Sequence, residues 1–413
     1  MRVGLFTDTY PPYINGVSTS IAMLKNALEK KGHQVFVVTV NNELTKYNYE
    51  DNGKIIRIPG IPTGIYDYRL TGIYPIRCIN KIKKWKLDVI HSHTEFGVGT
   101  FARIVAKQFN IPIVHTYHTM YEDYVHYITK GYFDNAGKKI VEYLTSFYCD
   151  KTISELIVPT KKTYDLFKEK YKVARNVHII PTGIEIDRFY KEKYTKTMRD
   201  KYKKMLNFGD DDFIILFVGR LAQEKNVEFL IDAQKDLVKK YKNCKLLIIG
   251  DGPDSDKYKT MSEKLGIKDN VIFTGKVAWE LVPVYYQLAS VFATASKTET
   301  QGLTVIEAMA ASKIPVCIDD ESFRNVVIDD LNGKIFKNKR QYKNIIENLI
   351  GNPDDVKRMS KQARRNSEQY SSKYFAERVL DVYKIAIENN PKHKYGIISK
   401  LKNIVKGNEE WKN

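Results

Sequence analysis

The chain has 413 residues, 43% hydrophobic and 28% charged, with 23 Gly and 13 Pro; this is apolar material for two cores and excludes a disordered, collagen-like or Pro-rich chain. Lys and Arg number 67 against 49 Asp and Glu, and the net charge of +18 suits nucleic acid, anionic lipid or phosphorylated substrates. Four scattered cysteines without a C-x-x-C pair argue against a disulfide framework, and no signal peptide or 18-residue apolar run is read, so a cytoplasmic protein is expected.

In chain order, residues 3–7 form an apolar run of strand length. After a loop with Pro11, Pro12 and Gly16, the residues Ile21, Leu24 and Leu28 recur at helical spacing, Gly32 stops the helix, and residues 35–40 read as the next strand. Residues 87–90 and 113–114 continue the rhythm as strands around a helical pattern over 101–109. This is a βαβ succession, hence a mostly parallel sheet covered on both faces. Between residues 54 and 86 lie eight basic residues and one acid, Asp67, interleaved with Tyr66, Tyr68, Tyr74 and Trp85, aromatic rings among lysines that would suit a surface at the lipid headgroup zone.

A second βαβ series runs through strands at 213–218, 245–249, 271–274, 291–294 and 314–318, with helices over 226–241 and 303–311. A Lys-rich stretch near 188–210, without a clean period, separates the two series. A long polar helix over 355–388 follows, with Phe375, Val379, Val382 and Ala386 as its apolar stripe, and then a tail with six Lys and two Glu. Two such domains facing each other make a cleft, with ligands at the carboxyl ends of the strands.

Some signatures are weak. Gly97-Val-Gly99-Thr-Phe-Ala102 matches a relaxed dinucleotide fingerprint without its strand and acidic context, no P-loop is present, and Asp210-Asp211-Asp212 reads as a solvated turn. Four of the eight histidines, His91, His93, His115 and His118, fall within 28 residues. One reading is a metal site completed by Glu122 and Asp123, which would make a metal-dependent hydrolase; the other places His118 on a polar cleft floor and the remaining three in structural roles.

The strongest signal is Glu299-Thr-Gln-Gly302-Leu303-Thr304-Val-Ile-Glu307, two carboxylates separated by seven residues around a helix start. A helix N-terminus offers free N–H groups and a positive dipole end to a phosphate. Glu299, before it, can reach an uncharged part of a ligand, and Glu307, one turn in, can hold a ribose diol. Upstream, Arg220 and Lys225 follow a strand end and suit a diphosphate as a fork and a point charge.

Together NGVSTSI, HTYHT, VGRLAQEKN, IIGDGP and the paired carboxylates resemble the retaining glycosyltransferases of family 4 with the GT-B fold, from Met1 to about Tyr383. Within that family, HSHTEFGVGTFARIVAK and IPIVHTYHTMYEDYVHYI are similar to the bacterial 1,2-diacylglycerol 3-glucosyltransferases, which make monoglucosyldiacylglycerol. The resemblance implies two Rossmann-like domains. Residues 1–190 would face acceptor and membrane, 191–210 would be a linker, 211–370 would bind the nucleotide sugar, and 371–413 would be a helix crossing back to the first domain plus a basic tail.

The resemblance also implies roles. Gly16 would approach the diphosphate, Arg220 and Lys225 would neutralise it, and Gly302, Leu303 and Thr304 would add backbone N–H groups. Glu307 would bind the ribose, Glu299 the sugar hydroxyls, and His118 the sugar near its reacting carbon, while Gly275, Lys276 and Val277 would line the base pocket. Gly183-Ile184-Glu185 departs from the usual Asp at its third position. No carboxylate is assigned as a double-displacement nucleophile, so a same-face transfer is expected, with the leaving phosphate helping to deprotonate the acceptor. The expected reaction moves glucose from UDP-glucose to diacylglycerol, without a required metal or tightly bound cofactor. The expected partners are a UDP-sugar, a lipid acceptor and an anionic membrane surface at the inner face of the cell membrane, not nucleic acid. A phospholipid, polysaccharide or other glycan acceptor is the alternative within the family.

Overall fold

The computed structural model describes residues 1–13, 15–62, 69–95, 97–118, 134–299 and 301–390. The chain divides into two units, residues 1–183 with 373–413, and residues 184–372. Tyr66, Asp67, Tyr68, Glu122, Asp123 and the basic tail from Lys392 lie outside the described residues.

The first unit runs β1 (Arg2–Phe6), α1 (Gly16–Lys30), β2 (Gln34–Val40), β3 (Asn48–Glu50), β4 (Ile55–Ile58), β5 (Gly60–Pro62), β6 (Arg69–Thr71), α2 (Ile76–Trp85), β7 (Val89–Ser92), α3 (Val98–Phe109), β8 (Ile113–Thr116), α4 (Asp134–Asp150), β9 (Glu155–Val158), α5 (Lys161–Asp165) and β10 (Val177–Ile179). Among the described residues its main sheet has eight strands in the order β10-β9-β8-β7-β1-β2-β4-β3, parallel except for β3 against β4. Both faces are covered, which is why its strands read as unbroken apolar runs. Val3, Leu5, Val35 and Val37 point to one cluster, and Phe6, Phe36 and Val38 point to the other, as a period of two demands.

The second unit contains α6 (Lys196–Met205), β11 (Phe213–Val218), α7 (Val227–Lys240), β12 (Cys244–Ile249), α8 (Ser255–Lys264), β13 (Val271–Phe273), α9 (Val282–Leu288), β14 (Val291–Thr294), α10 (Leu303–Ala310), β15 (Ile314–Ile318), α11 (Glu321–Arg324), β16 (Lys334–Phe336), α12 (Lys339–Gly351) and α13 (Pro353–Ser367). Its described strands form a six-stranded parallel sheet ordered β13-β12-β11-β14-β15-β16. The order turns back at β11 and β14, and that switch point is where a doubly wound sheet opens a crevice at its carboxyl edge.

Three expectations change. The stretch 191–210 lies inside the second unit and holds α6, started by Thr195, whose hydroxyl accepts from the Met198 N–H at 3.2 Å. The last helix is two helices, broken by a 3-10 turn at Glu368–Tyr370 and an extended Ser371. The second of them, α14 (Ser372–Glu388), returns the chain to the first unit at Lys373. There Phe375, Val379, Val382, Tyr383 and Ala386 pack against Val3, Leu5, Leu24 and Leu28. The third change is Trp85, which is not a surface aromatic: it is 5% exposed and stacks on Phe36 with ring centroids 4.9 Å apart.

The match at Gly97–Ala102 is a packing requirement. A Cβ on Gly99 would lie 1.8 Å from the Thr94 carbonyl oxygen, so the start of α3 can approach β7 only without a side chain there.

Phe375, 2% exposed on α14, anchors that helix. Phe375→Ala is expected to cost about 3–5 kcal/mol, read as an earlier urea transition for the first unit alone. An unchanged transition would mean that α14 adds little to that core.

Candidate active site

The sheet order of the second unit sets the candidate residues side by side. The loop after β13 carries Gly275, Lys276 and Val277, with Lys276 exposed and Val277 half-buried. It is tied to the end of β12 by the Gly250 N–H, which donates to the Gly275 carbonyl at 3.0 Å. Next to β12, the end of β11 continues into Gly219 and Arg220, and the N–H groups of Gly219 and Leu221 donate to the carbonyls of Ile249 and Asp251 at 3.0 Å each. On the far side of β11 stands β14, which leads to Glu299 and α10.

Lys225 closes a 3-10 turn, Gln223–Lys225, and its ammonium forms an ion pair with the Glu299 carboxylate; both side chains are about four-fifths covered. Arg220 is paired in the same way with Glu224. The backbone of Glu299 is held from the other side, because the Ser322 hydroxyl donates to its carbonyl. Gly302 caps α10 at φ +75°, a left-handed position where a Cβ would also meet the Phe323 ring at 2.5 Å, so glycine is required. Leu303 and Thr304 then supply first-turn N–H groups that the helix itself does not use.

Glu307 lies in the second turn of α10. The Tyr286 hydroxyl, from α9, stands 2.8 Å from its Oε2 and 3.1 Å from the Thr304 carbonyl. Burial pushes the Glu307 carboxyl up to about 7, opposed by the Tyr286 hydrogen bond and by Arg188. Arg188 is itself placed by the indole of Trp279, its guanidinium carbon lying 3.2 Å from the ring centroid.

His118 and Gly16 belong to the first unit. His118 follows β8 and its Nε2 lies 3.0 Å from His93 Nδ1. Burial pushes the imidazole down to about 4, helped by His115, so it meets a ligand as a neutral group. Gly16 is the first residue of α1, after Asn15, whose side chain accepts from the Ser18 N–H at 2.9 Å. His91 is fully buried between Tyr383 and Thr116, 2.7 Å from each hydroxyl, and His115 meets Glu95 at 3.0 Å.

Of the expected metal ligands, His91 is thus committed to two hydroxyls. Another trio, Glu95, His115 and Cys149, brings ligand atoms within 4.8 Å of one another. The Arg103 guanidinium acts on both His115 and Cys149, and a fixed cation there opposes a divalent ion. The Asp210–Asp212 turn is structural, the Gly209 N–H donating to Asp212 at 2.9 Å.

Sequence reasoning missed Glu224, Tyr286, Arg188 and Trp279. Tyr286 sits in VPVYYQL, which reads as core; its only signal is a phenol in an apolar helix.

Residues 14–188 match the family described as Glycosyltransferase Family 4, and residues 198–366 match Glycosyl transferases group 1. An alpha-monoglucosyldiacylglycerol synthase of Acholeplasma laidlawii is 38% identical over 405 residues, 95% of this chain and 99% of that protein. One of Streptococcus pneumoniae is 35% identical over 94% of this chain and 87% of its own length. Anabaena HepE in complex with UDP-glucose superposes with a TM-score of 0.70 at 16% identity, covering 92% of this chain and 99% of that one. The lipopolysaccharide glycosyltransferase WaaG gives 0.68 at 16% identity over 92% and 99%. The match to a family built around a sugar-transfer reaction, rather than a hydrolytic one, sets aside the metal-dependent hydrolase. Across nearly its whole length this chain belongs to the family 4 glycosyltransferases, enzymes of the GT-B fold built on two parallel-sheet α/β units.

Proposed function

We propose that this enzyme transfers glucose from UDP-glucose to the hydroxyl of 1,2-diacylglycerol with retention at the anomeric carbon, giving an α-monoglucosyl lipid. The observation that carries the reading is the Lys225–Glu299 pair in front of α10. It joins a diphosphate-binding cation to a hydroxyl-binding carboxylate where a helix dipole favours negative charge. Relatives named as alpha-monoglucosyldiacylglycerol synthases support the acceptor and the anomer, and the UDP-glucose complex of HepE supports the donor.

In this reading the uracil packs on the loop Gly275–Lys276–Val277, Glu307 accepts from the ribose diol, and Gly302, Leu303 and Thr304 present backbone to the phosphates. Arg220 and Lys225 stabilise charge as it develops on the departing diphosphate, and Glu299 holds sugar hydroxyls beside them. Within the first unit, Gly16 leaves backbone open to a phosphate at the start of α1, and neutral His118 offers a hydrogen bond to a sugar hydroxyl. The bond from the anomeric carbon to the phosphate oxygen breaks, the acceptor oxygen bonds to that carbon on the same face, and the acceptor proton passes to the leaving phosphate.

Residues 1–183 would carry the acceptor and the membrane contact. On α2, Cys78, Ile79, Ile82 and Trp85 face the core, while Arg77, Lys83, Lys84 and Lys86 are exposed beside Ile73 and Ile76, which are 62% and 72% exposed. Lys81 is half-buried, its ammonium lying 4.2 Å from the centre of the Tyr49 ring, and the Arg77 guanidinium lies 5.9 Å from that of Tyr47. Among the described residues no helix is long and apolar enough to cross a membrane; the docking proposed is of this basic face on the anionic inner surface of the cell membrane.

A panel of UDP-sugars with diacylglycerol vesicles tests the function; label from UDP-glucose should enter a chloroform-soluble product, with or without a chelator. Arg220→Ala or Lys225→Ala should lower kcat by about 100–1000-fold with a native circular dichroism spectrum, and near-normal turnover would remove the diphosphate role. Glu299→Gln should lower kcat while sparing UDP affinity, whereas Glu307→Gln should weaken UDP binding measured by calorimetry. Replacing Arg77, Lys83, Lys84 and Lys86 by Gln should abolish co-sedimentation with phosphatidylglycerol vesicles, since each charge contributes about 1 kcal/mol at an anionic surface before screening. UDP affinity should be unchanged, and undiminished vesicle binding would leave this face merely solvated.

A further inference from the structure

Tyr286 is wholly buried, and the packing around it fixes where its hydroxyl goes. Its ring meets Phe189 edge-on at 5.5 Å and Phe292 stacked at 6.1 Å, one from the 3-10 turn Ile186–Phe189 and one from β14. The phenol cannot swing away from Glu307 without opening that aromatic contact. It has one proton and two acceptors in reach, the Glu307 carboxylate at 2.8 Å and the Thr304 carbonyl at 3.1 Å.

We propose that Tyr286 is a positioning residue for the nucleotide site: its hydroxyl donates to Oε2 of Glu307, holding the carboxylate ionised and oriented so that the other oxygen accepts from the ribose diol of the donor. The inference rests on the reading of Glu307 as the ribose-binding residue. A single carboxylate oxygen tied to a rigid phenol leaves the second with a defined direction, which a free glutamate in the second turn of a helix lacks. When Glu307 takes up a proton the arrangement inverts. The carboxyl donates to the phenol oxygen, the phenol donates to Thr304, and the diol loses a charged acceptor.

The surroundings leave this task to few groups. Among the described titratable groups, Tyr286 from α9 and Arg188 from the 3-10 turn act on the carboxyl. Glu185, Tyr194 and Glu280 act on Arg188 in turn. Where α13 packs on α10 its buried positions are Met359, Ala363 and Ser367, and the neighbouring parts of β14 and β15 are apolar. Burial alone raises the carboxyl and the Tyr286 hydrogen bond lowers it, so removing the hydroxyl moves the titration of Glu307 to higher pH.

The test is calorimetric titration of the full chain with UDP between pH 5.5 and 8.5, for the parent, Tyr286→Phe and Glu307→Gln. Glu307→Gln carries no titrating carboxyl, so its profile subtracts the protonation of UDP itself. Relative to that baseline, parent affinity should rise with pH through about 7, where the buried carboxyl ionises. Tyr286→Phe should bind about 5–10-fold more weakly at pH 7 and regain affinity only at higher pH, because an ion-assisted hydrogen bond is lost. At saturating UDP-glucose its kcat should stay near the parent value, so the loss falls on KM. If Glu307→Gln weakens binding while Tyr286→Phe follows the parent profile, the inference fails and the ribose role stands. A uniform weakening in Tyr286→Phe without a displaced profile also overturns it, leaving Tyr286 as packing. If Glu307→Gln binds as the parent does, the ribose role itself falls.

Discussion

Two cations at the carboxyl end of β11 are each anchored by a carboxylate, Arg220 by Glu224 and Lys225 by Glu299. That pairing is the constraint on which the proposed donor site depends. Lysine and arginine side chains carry large rotamer entropy, and a leaving diphosphate gains most from cations that need not be ordered during the reaction. The anchors hold both in place, and both side chains are more than two-thirds covered. The Lys225–Glu299 contact also couples two tasks, so the residue proposed to hold sugar hydroxyls also directs the cation proposed to meet the phosphate.

The sheet makes this pairing possible. Parallel strands β13, β12, β11 and β14 lie in that order and end on one edge, about 4.8 Å apart. Loops far apart in sequence, those at residues 220 and 299 among them, therefore line up as the proposed base, phosphate and sugar contacts. Behind this edge, α10 is held by Phe323 against Gly302 at its start and by Tyr286 one turn later. In the first unit the equivalent support comes from α14. Its Tyr383 bonds His91, His91 packs on His93 with centroids 4.0 Å apart and the rings tilted by 35°, and His93 bonds His118. One side chain at the end of β8 is thereby connected to a helix some 260 residues later in the chain.

Much of this was legible in the sequence for physical reasons. Strands buried on both faces are apolar throughout, so residues 3–7, 35–40 and 213–218 announce themselves, and the paired glutamates flank a glycine that only a left-handed cap requires. What could not be read depends on contacts made at a distance. The break at 368–371 has no proline or glycine and follows from docking α14 into the first unit, with Ser371 bridging to Ile184. Trp85 lies among lysines yet is core, because it ends an amphipathic helix whose apolar stripe turns inward. β9 and α4 passed unread, the first being only four residues long. Tyr286 looks like any core aromatic until Glu307 is placed beside it. The basic excess of +18 reads ambiguously as well; the exposed side of α2 converts part of it into a surface with an isoleucine among the charges.

The central claim is that one cleft edge handles a nucleoside diphosphate and a hexose so that the sugar leaves with its configuration kept. Proton NMR of the lipid product formed from UDP-glucose and 1,2-diacylglycerol measures this directly, since the anomeric coupling distinguishes the two faces of attack. The account predicts a single α-glucosyl signal on the glycerol hydroxyl. A β-linked product, or label that never leaves the aqueous phase, would contradict it.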